Sequence, residues 1–256
     1  MIRSMYSGIS GMVNHQTRMD VISNNIANVN TTGFKASRTT FKDALYMALD
    51  ASGQEKGSFQ VGTGIGISEI SNDFDQGDIR PTGRTFDLAI SGPGFFGVQD
   101  INDPDQIKYT RDGTFSISSD GFLVNSLGMK VVSDSSDGIK ISPEYIDNVQ
   151  INDEGTVTSG DNELGQIKLF DFPNPSGLTK VGNNLFLENN ISGESFEIET
   201  DSERFGAIYS GYLESANINL AEELTDLITT HRGYQANTKV FSTADDVLRE
   251  IIELKR

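Results

Sequence analysis

Gly92-Pro93-Gly94-Phe95-Phe96-Gly97 has the glycine spacing of a loop that wraps a dinucleotide pyrophosphate. Such a loop works only where a helix opens directly after it and turns its free N–H groups toward the phosphates. Here the chain runs on into Val98 and an acidic stretch without helical period, so the spacing predicts a strand-to-strand turn with a close backbone approach. Two acidic clusters, Asp73, Asp75 and Asp78, and then Asp100, Asp103 and Asp105, carry the hard oxygen ligands that calcium takes. Neither has the EF-hand placement of Gly and Glu, and both read as acidic surface loops. The two histidines, His15 and His231, each lack a second His at helical spacing, so a packed or solvated helix position is expected of them rather than zinc. With no Cys, thiolate nucleophiles, redox motifs and Cys-ligated zinc are excluded. No nucleophile-elbow Ser and no kinase-type glycine loop with its Lys is present, and the expectation is a protein that is no enzyme and holds no cofactor or metal.

Chemistry this sparse directs attention to the elements themselves. The 256 residues can bury a core without disulfides or a structural metal. The net charge of −17 opposes a general nucleic-acid or anionic-membrane surface, which would need clustered Lys and Arg. No apolar run is long enough to span a bilayer, and the opening Met1-Ile2-Arg3-Ser4-Met5 lacks the apolar core of a cleaved signal, so no membrane insertion is expected. The charge is uneven. Residues 1–42 carry five bases and one acid, and residues 216–256 carry five bases and seven acids, which leaves 29 acids against ten bases for the middle.

Periodicity divides the chain in the same places. Ile2, Met5, Ile9, Met12, Gln16, Met19, Ser23 and Ile26 step by threes and fours, which predicts a helix over 2–28 with an a/d seam. It should stop at Asn28-Val29-Asn30-Thr31-Thr32-Gly33, where Gly33 can turn left-handed. Leu220, Leu227, Tyr234, Phe241 and Leu248 recur every seven residues and predict a second helix over about 217–254. Asn217 or Asn219 can cap it, Glu222 and Glu223 suit its first turn, and Lys255 and Arg256 suit its end. Neither helix is stable alone in water, so the two pack together or against copies of the chain. The seam residues Ile2, Met5, Ile9, Met12, Met19, Ile26, Leu220, Leu227, Tyr234, Phe241 and Leu248 are the expected assembly interface. Thr229, Thr230, Gln235, Asn237 and Thr238 form a polar stripe that suits either close helix packing or solvent.

Between the helices, short apolar or alternating runs (86–98, 108–117, 122–132, 139–151, 166–170 and 184–188) are separated by turn signals such as Asp112-Gly113, Asp120-Gly121, Asp137-Gly138 and Glu154-Gly155. The fold class expected is α+β: long terminal helices forming an axial stalk, with a central, mainly antiparallel β domain. The expected division is an N-terminal axial helix over 1–32, an extended arm over 33–80, a β domain over 81–216 and a C-terminal axial helix over 217–256.

The stretch 23–35, Ser23-Asn24-Asn25-Ile26-Ala27-Asn28-Val29-Asn30-Thr31-Thr32-Gly33-Phe34-Lys35, resembles the N-terminal signature of the bacterial flagellar rod and hook proteins. So do Thr82-Gly83, Asp87-Leu88-Ala89-Ile90, the Gly92–Phe96 run, Tyr109-Thr110-Arg111-Asp112-Gly113, Gly211-Tyr212-Leu213-Glu214-Ser215-Ala216-Asn217 and Arg232-Gly233-Tyr234-Gln235-Ala236-Asn237. The resemblance covers essentially the whole chain. It implies a structural subunit of the flagellar axial tube, whose paired helices line the tube while the β domain faces outward. It also implies export through the flagellar type III apparatus without a cleaved signal peptide, and no catalytic residues. The implied partners are copies of the chain, neighbouring rod, hook and junction proteins, the export apparatus and a hook cap or rod cap. The ending 235–256 and the short arm between Phe41 and Val61 favour a hook protein. The single β region without a large outer insertion suits the alternative, a distal rod subunit. An exported acidic binding module, such as a cap or adhesin, is the further alternative.

Overall fold

The structure is a computed structural model that describes residues 2–48, 60–100, 106–134, 138–141, 149–160, 162–198 and 206–254. Asp103, Asp105, the Ser136-Asp137 turn and the charges at Lys255 and Arg256 lie outside the described residues. The chain is α+β and divides into two compact units. One comprises residues 1–27, 37–71 and 219–256, and the other residues 28–36 and 72–218.

In the first unit, helix α1 spans Ile2–Ala27 and helix α2 spans Leu220–Leu254. Beyond α1 the backbone turns at Gly33, φ 64°, where a side chain would be strained and its Cβ would lie 2.6 Å from the Arg111 carbonyl carbon. The cap of α2 is Asn219, whose Oδ1 accepts from Ala221 N at 3.2 Å and whose carbonyl accepts from Glu223 N at 3.0 Å. Asn217, the other candidate, is engaged elsewhere. The stretch read as an extended arm carries paired strands. Ser37–Asp43 pairs with Ile65–Asn72, and Tyr46–Ala48 pairs antiparallel with Gln60–Gly62.

The second unit is antiparallel β. Among the described residues its largest sheet has nine strands, and a three-stranded sheet is formed by Val149–Ile151, Thr156–Ser159 and Asn162–Gln166. One buried apolar cluster draws on both sheets, with Phe96, Val98, Leu123 and Leu169 from the first and Val149, Ile151 and Val157 from the second. A second cluster is aromatic. Tyr109 meets Phe172 edge-on at 4.8 Å between ring centres, and Phe95 meets Phe172 at 5.6 Å. The run 86–98 is two strands, Leu88–Ser91 and Phe95–Gln99, joined by a turn with φ of 120° at Gly92 and 122° at Gly94. No helix opens there, and the third glycine is explained by packing: a Cβ on Gly97 would lie 2.5 Å from the Phe170 ring. The hairpin Thr179–Gly182 to Leu185–Leu187 turns through Asn183 and Asn184, both at positive φ (52° and 58°), as a two-residue primed turn requires.

Candidate assembly interface

Helices α1 and α2 lie antiparallel, and small residues set how closely they approach. Asn237 fills the notch at Gly11, where a Cβ would lie 2.6 Å from Asn237 Oδ1, while its Nδ2 donates to the Gly233 carbonyl at 2.9 Å. A Cβ on Gly233 would in turn lie 2.8 Å from the His15 ring. Thr230 is buried on the same line. The pair is pinned at its other end by Arg18 to Asp226 (2.9 Å) and by Asn25 Nδ2 donating to Glu223 (3.2 Å) and to the Ser37 carbonyl (2.9 Å). His15 stacks edge-on against Phe41 at 5.5 Å, and its Nδ1 is buried with no hydrogen-bond partner among the described residues. Burial first, and Arg18 second, hold its imidazole below the ordinary range. Burial pushes the Glu223 carboxyl up. His231 is exposed.

The heptad residues are distributed unevenly around this contact. Met5, Met12, Met19, Ile26, Leu227, Tyr234, Phe241 and Leu248 are half-buried, whereas Ile9 and Leu220 are exposed. The side chain of Ile2 lies outside the described residues. Of the polar stripe, Thr230 is buried and Asn237 half-buried, while Thr229, Gln235 and Thr238 are exposed. Exposed apolar side chains form a second stripe on each helix. On α1 they are Tyr6, Ile9 and Val13, and on α2 Val240, Val247, Ile251 and Leu254, with Leu220, Leu224, Ile228 and Ile252 also exposed elsewhere along α2. Large unsatisfied apolar stripes of this kind mark surfaces for association.

In the β unit the periodicities gave no sign of a buried charge cluster. Lys35 and Glu214 have fully buried side chains joined at 2.6 Å, and Arg111, 4% exposed, reaches the other oxygen of Glu214 at 3.4 Å. Gly77 N donates to the same carboxylate at 2.9 Å, Lys35 Nζ also reaches the Asp75 carbonyl at 2.8 Å, and Arg111 Nη2 reaches the Gly92 carbonyl at 2.9 Å. Burial pushes the Lys35 ammonium down, outweighing the opposing pull of Glu214, and lowers Arg111 for the same reason. Alongside, Lys180 donates to the Lys35 carbonyl at 2.7 Å and sits over the Phe34 ring; burial lowers its pKa to about 8. Asp73 and Asp75, one of the clusters weighed for calcium, contribute backbone carbonyls here. The signal that could have located this cluster was present: Lys35, Arg111 and Glu214 each lie inside a motif of the rod and hook resemblance.

The chain thus joins a helix pair with bare apolar stripes to an antiparallel β unit. Three family models match the chain. They are "Flagella basal body rod protein" over residues 5–35, "Flagellar hook protein FlgE/F/G D1 domain" over 89–159 and "Flagellar basal body rod FlgEFG protein C-terminal" over 209–254. The flagellar basal-body rod protein FlgG of Bacillus subtilis is 41% identical over 268 aligned positions, covering all of both chains. FlgG of Borreliella burgdorferi is 38% identical over 271 positions, again with both chains fully covered. The flagellar hook protein FlgE of B. burgdorferi is 26% identical over 445 positions. The chain belongs to the flagellar rod and hook protein family, and is a structural subunit of the hook–basal body.

Proposed function

We propose that the chain is a distal rod subunit, which polymerises with copies of itself into the axial tube and passes motor torque along it. The observation that carries this reading is the end-to-end match to a rod protein of nearly equal length, 41% identical over 268 positions. The preference for a hook protein is therefore corrected. The hook relative aligns at 26% over 445 positions, well beyond the 256 residues here, so it carries material that this chain lacks. The C-terminal ending does not discriminate either, because the model it matches spans FlgE, FlgF and FlgG together. In this reading α1 and α2 are the axial elements, and the heptad residues with the exposed stripes meet neighbouring subunits. Rod, hook and junction proteins are the other neighbours. The chain leaves the cell through the flagellar export apparatus without a cleaved signal, and a rod cap attends its assembly. Its role is structural and involves no catalysed reaction.

The test is location. In basal bodies isolated from cells that depend on this chain, an epitope-tagged copy should label the shaft inside the outer boundary of the cell envelope. Label confined to the curved segment outside that boundary refutes the rod assignment and restores the hook.

A further inference from the structure

The chain passes between its two units four times, after Ala27, Ala36, Ser71 and Ile218. Within the β unit, the segments that flank three of these passages are bound to one another. Asn217, just before the last, accepts from Ala36 N at 2.8 Å and donates from Nδ2 to the carbonyls of Asp73 at 2.9 Å and Asp75 at 3.1 Å. Glu214 repeats the connection three residues earlier. Its carboxylate holds Lys35 and Gly77 N, and its carbonyl accepts from Gly33 N at 2.8 Å. Asp73 N closes the set by donating to the Ala36 carbonyl at 2.8 Å. The fit is tight as well as bonded, since a Cβ on Gly77 would run into the Ser215 carbonyl.

We infer that Glu214 and Asn217 make residues 33–36, 73–77 and 214–217 a single cooperative joint that opens and closes as one, so that load entering along any one passage is shared by the other two. Each segment is bonded to both others, and the Glu214 carboxylate among those bonds cannot part from Lys35 without leaving a buried cation short of its counter-charge. Segments held only by separate contacts would fray independently. The load-sharing part rests on the rod reading; the cooperativity does not.

The experiment is amide hydrogen exchange on the purified full chain, comparing wild type with Asn217→Ala. Ala36 N bonds Asn217 directly and must lose protection on any account. Gly33 N and Gly77 N bond Glu214, not Asn217, so their response reports coupling. A joint requires all three to lose protection together, on the order of 10- to 100-fold for the bonds removed, while Phe96 to Val98 keep theirs. Loss at Ala36 alone overturns the joint. Asn217→Asp, which keeps the acceptor for Ala36 N and removes only the two donated bonds, gives the same reading should the alanine variant fold poorly: Gly33 and Gly77 should again loosen, and unchanged exchange there overturns the proposal. For load sharing, cells dependent on the chain and carrying Asn217→Asp should rotate flagella normally in dilute medium and lose rotation first as viscosity rises. Equal rotation at high viscosity overturns that part. Failure of the wild-type chain itself to restore flagella would strike at the rod reading and leave the exchange result standing.

Discussion

Glu214→Gln should be among the most damaging single-atom changes available in this protein. The substitution keeps the shape, but it removes the only side-chain carboxylate within ion-pair distance of both Lys35 (2.6 Å) and Arg111 (3.4 Å) among the described residues. It also turns one acceptor oxygen into an N–H₂ group facing cations. Lys35 is fully buried and Arg111 nearly so, so neither can recover the lost interaction from water. Breaking a buried pair by removing one partner costs about 3–5 kcal/mol, against a typical total of about 5–15 kcal/mol. With an m-value of about 2 kcal/mol/M, the urea midpoint of the β unit should fall by roughly 1.5–2.5 M. Near-ultraviolet circular dichroism of the buried Tyr109 reports that unit. The sign with pH is fixed. Lys35 already has a folded pKa below its ordinary 10.5, so the unfolded chain binds more protons between the two values and stability rises with pH there. Loss of Glu214 widens that window, and the damage should shrink as pH climbs toward 10. Replacing all three groups by apolar ones of similar volume (Lys35→Met, Arg111→Met, Glu214→Leu) should cost far less than Glu214→Gln alone. A midpoint shift under about 0.5 M for Glu214→Gln, or a penalty independent of pH, would refute the assignment of buried, mutually dependent charges.

Gly113→Ala should lower the thermal midpoint of the β unit by many degrees or prevent folding, because the added Cβ would run into the Leu88 carbonyl, and thermal denaturation followed by circular dichroism measures it. Leu227→Asp with Phe241→Asp should abolish assembly while the β unit stays folded, so normal polymer by electron microscopy would remove these residues from the interface. As the pH falls below about 6.5 the helix pair should lose stability, because His15 is held below its ordinary 6.5 and the unfolded chain takes the proton first. Glu223, raised above 4.5, acts in the opposite sense, so the slope should be read in a Glu223→Gln background, where His15→Phe should flatten it. Tubes assembled from the chain should stay straight from 0.1 to 1 M salt, over which the screening length falls from about 10 to 3 Å; curvature that changes with salt would favour a bending, hook-like tube.

Both long helices were legible in the sequence because their information is local: apolar steps of three and four, an Asn at the start of α2 and a glycine able to turn left-handed after α1. The split of 86–98 into two strands was legible only in part. The glycine turn was visible, but the ring of Phe170 that demands Gly97 lies 73 residues away in sequence. The strands over 37–81 were hidden because Thr, Lys, Ser and Gly there show no clean alternation; their pairing is mostly within the stretch, and only Ile79–Pro81 pairs outside it, with Tyr212–Glu214. The charge cluster was beyond periodicity altogether. Lys35 and Glu214 are 179 residues apart, and a buried charge looks in sequence like a surface one.

The helix contact itself inverts what a heptad suggests. A seam of large apolar residues predicts Leu, Tyr and Phe as the knobs between two helices, yet the described residues buried on them are Gly8, Gly11, Ile22, Asn25 and Thr230, of which only Ile22 is large and apolar. The reason is steric. Three glycines, Gly8, Gly11 and Gly233, let the backbones close until an amide side chain fills the remaining notch, which pushes the larger heptad residues to the flanks. Half-buried flanks and exposed stripes then leave apolar area that one chain cannot cover, at about 25 cal/mol per Å² left in water. On the proposed rod reading, the polar contacts inside the pair set its register, and the uncovered apolar stripes supply the driving force once neighbours arrive. That reading separates the specificity of folding from the energy of assembly, and assigns them to different faces of the same two helices.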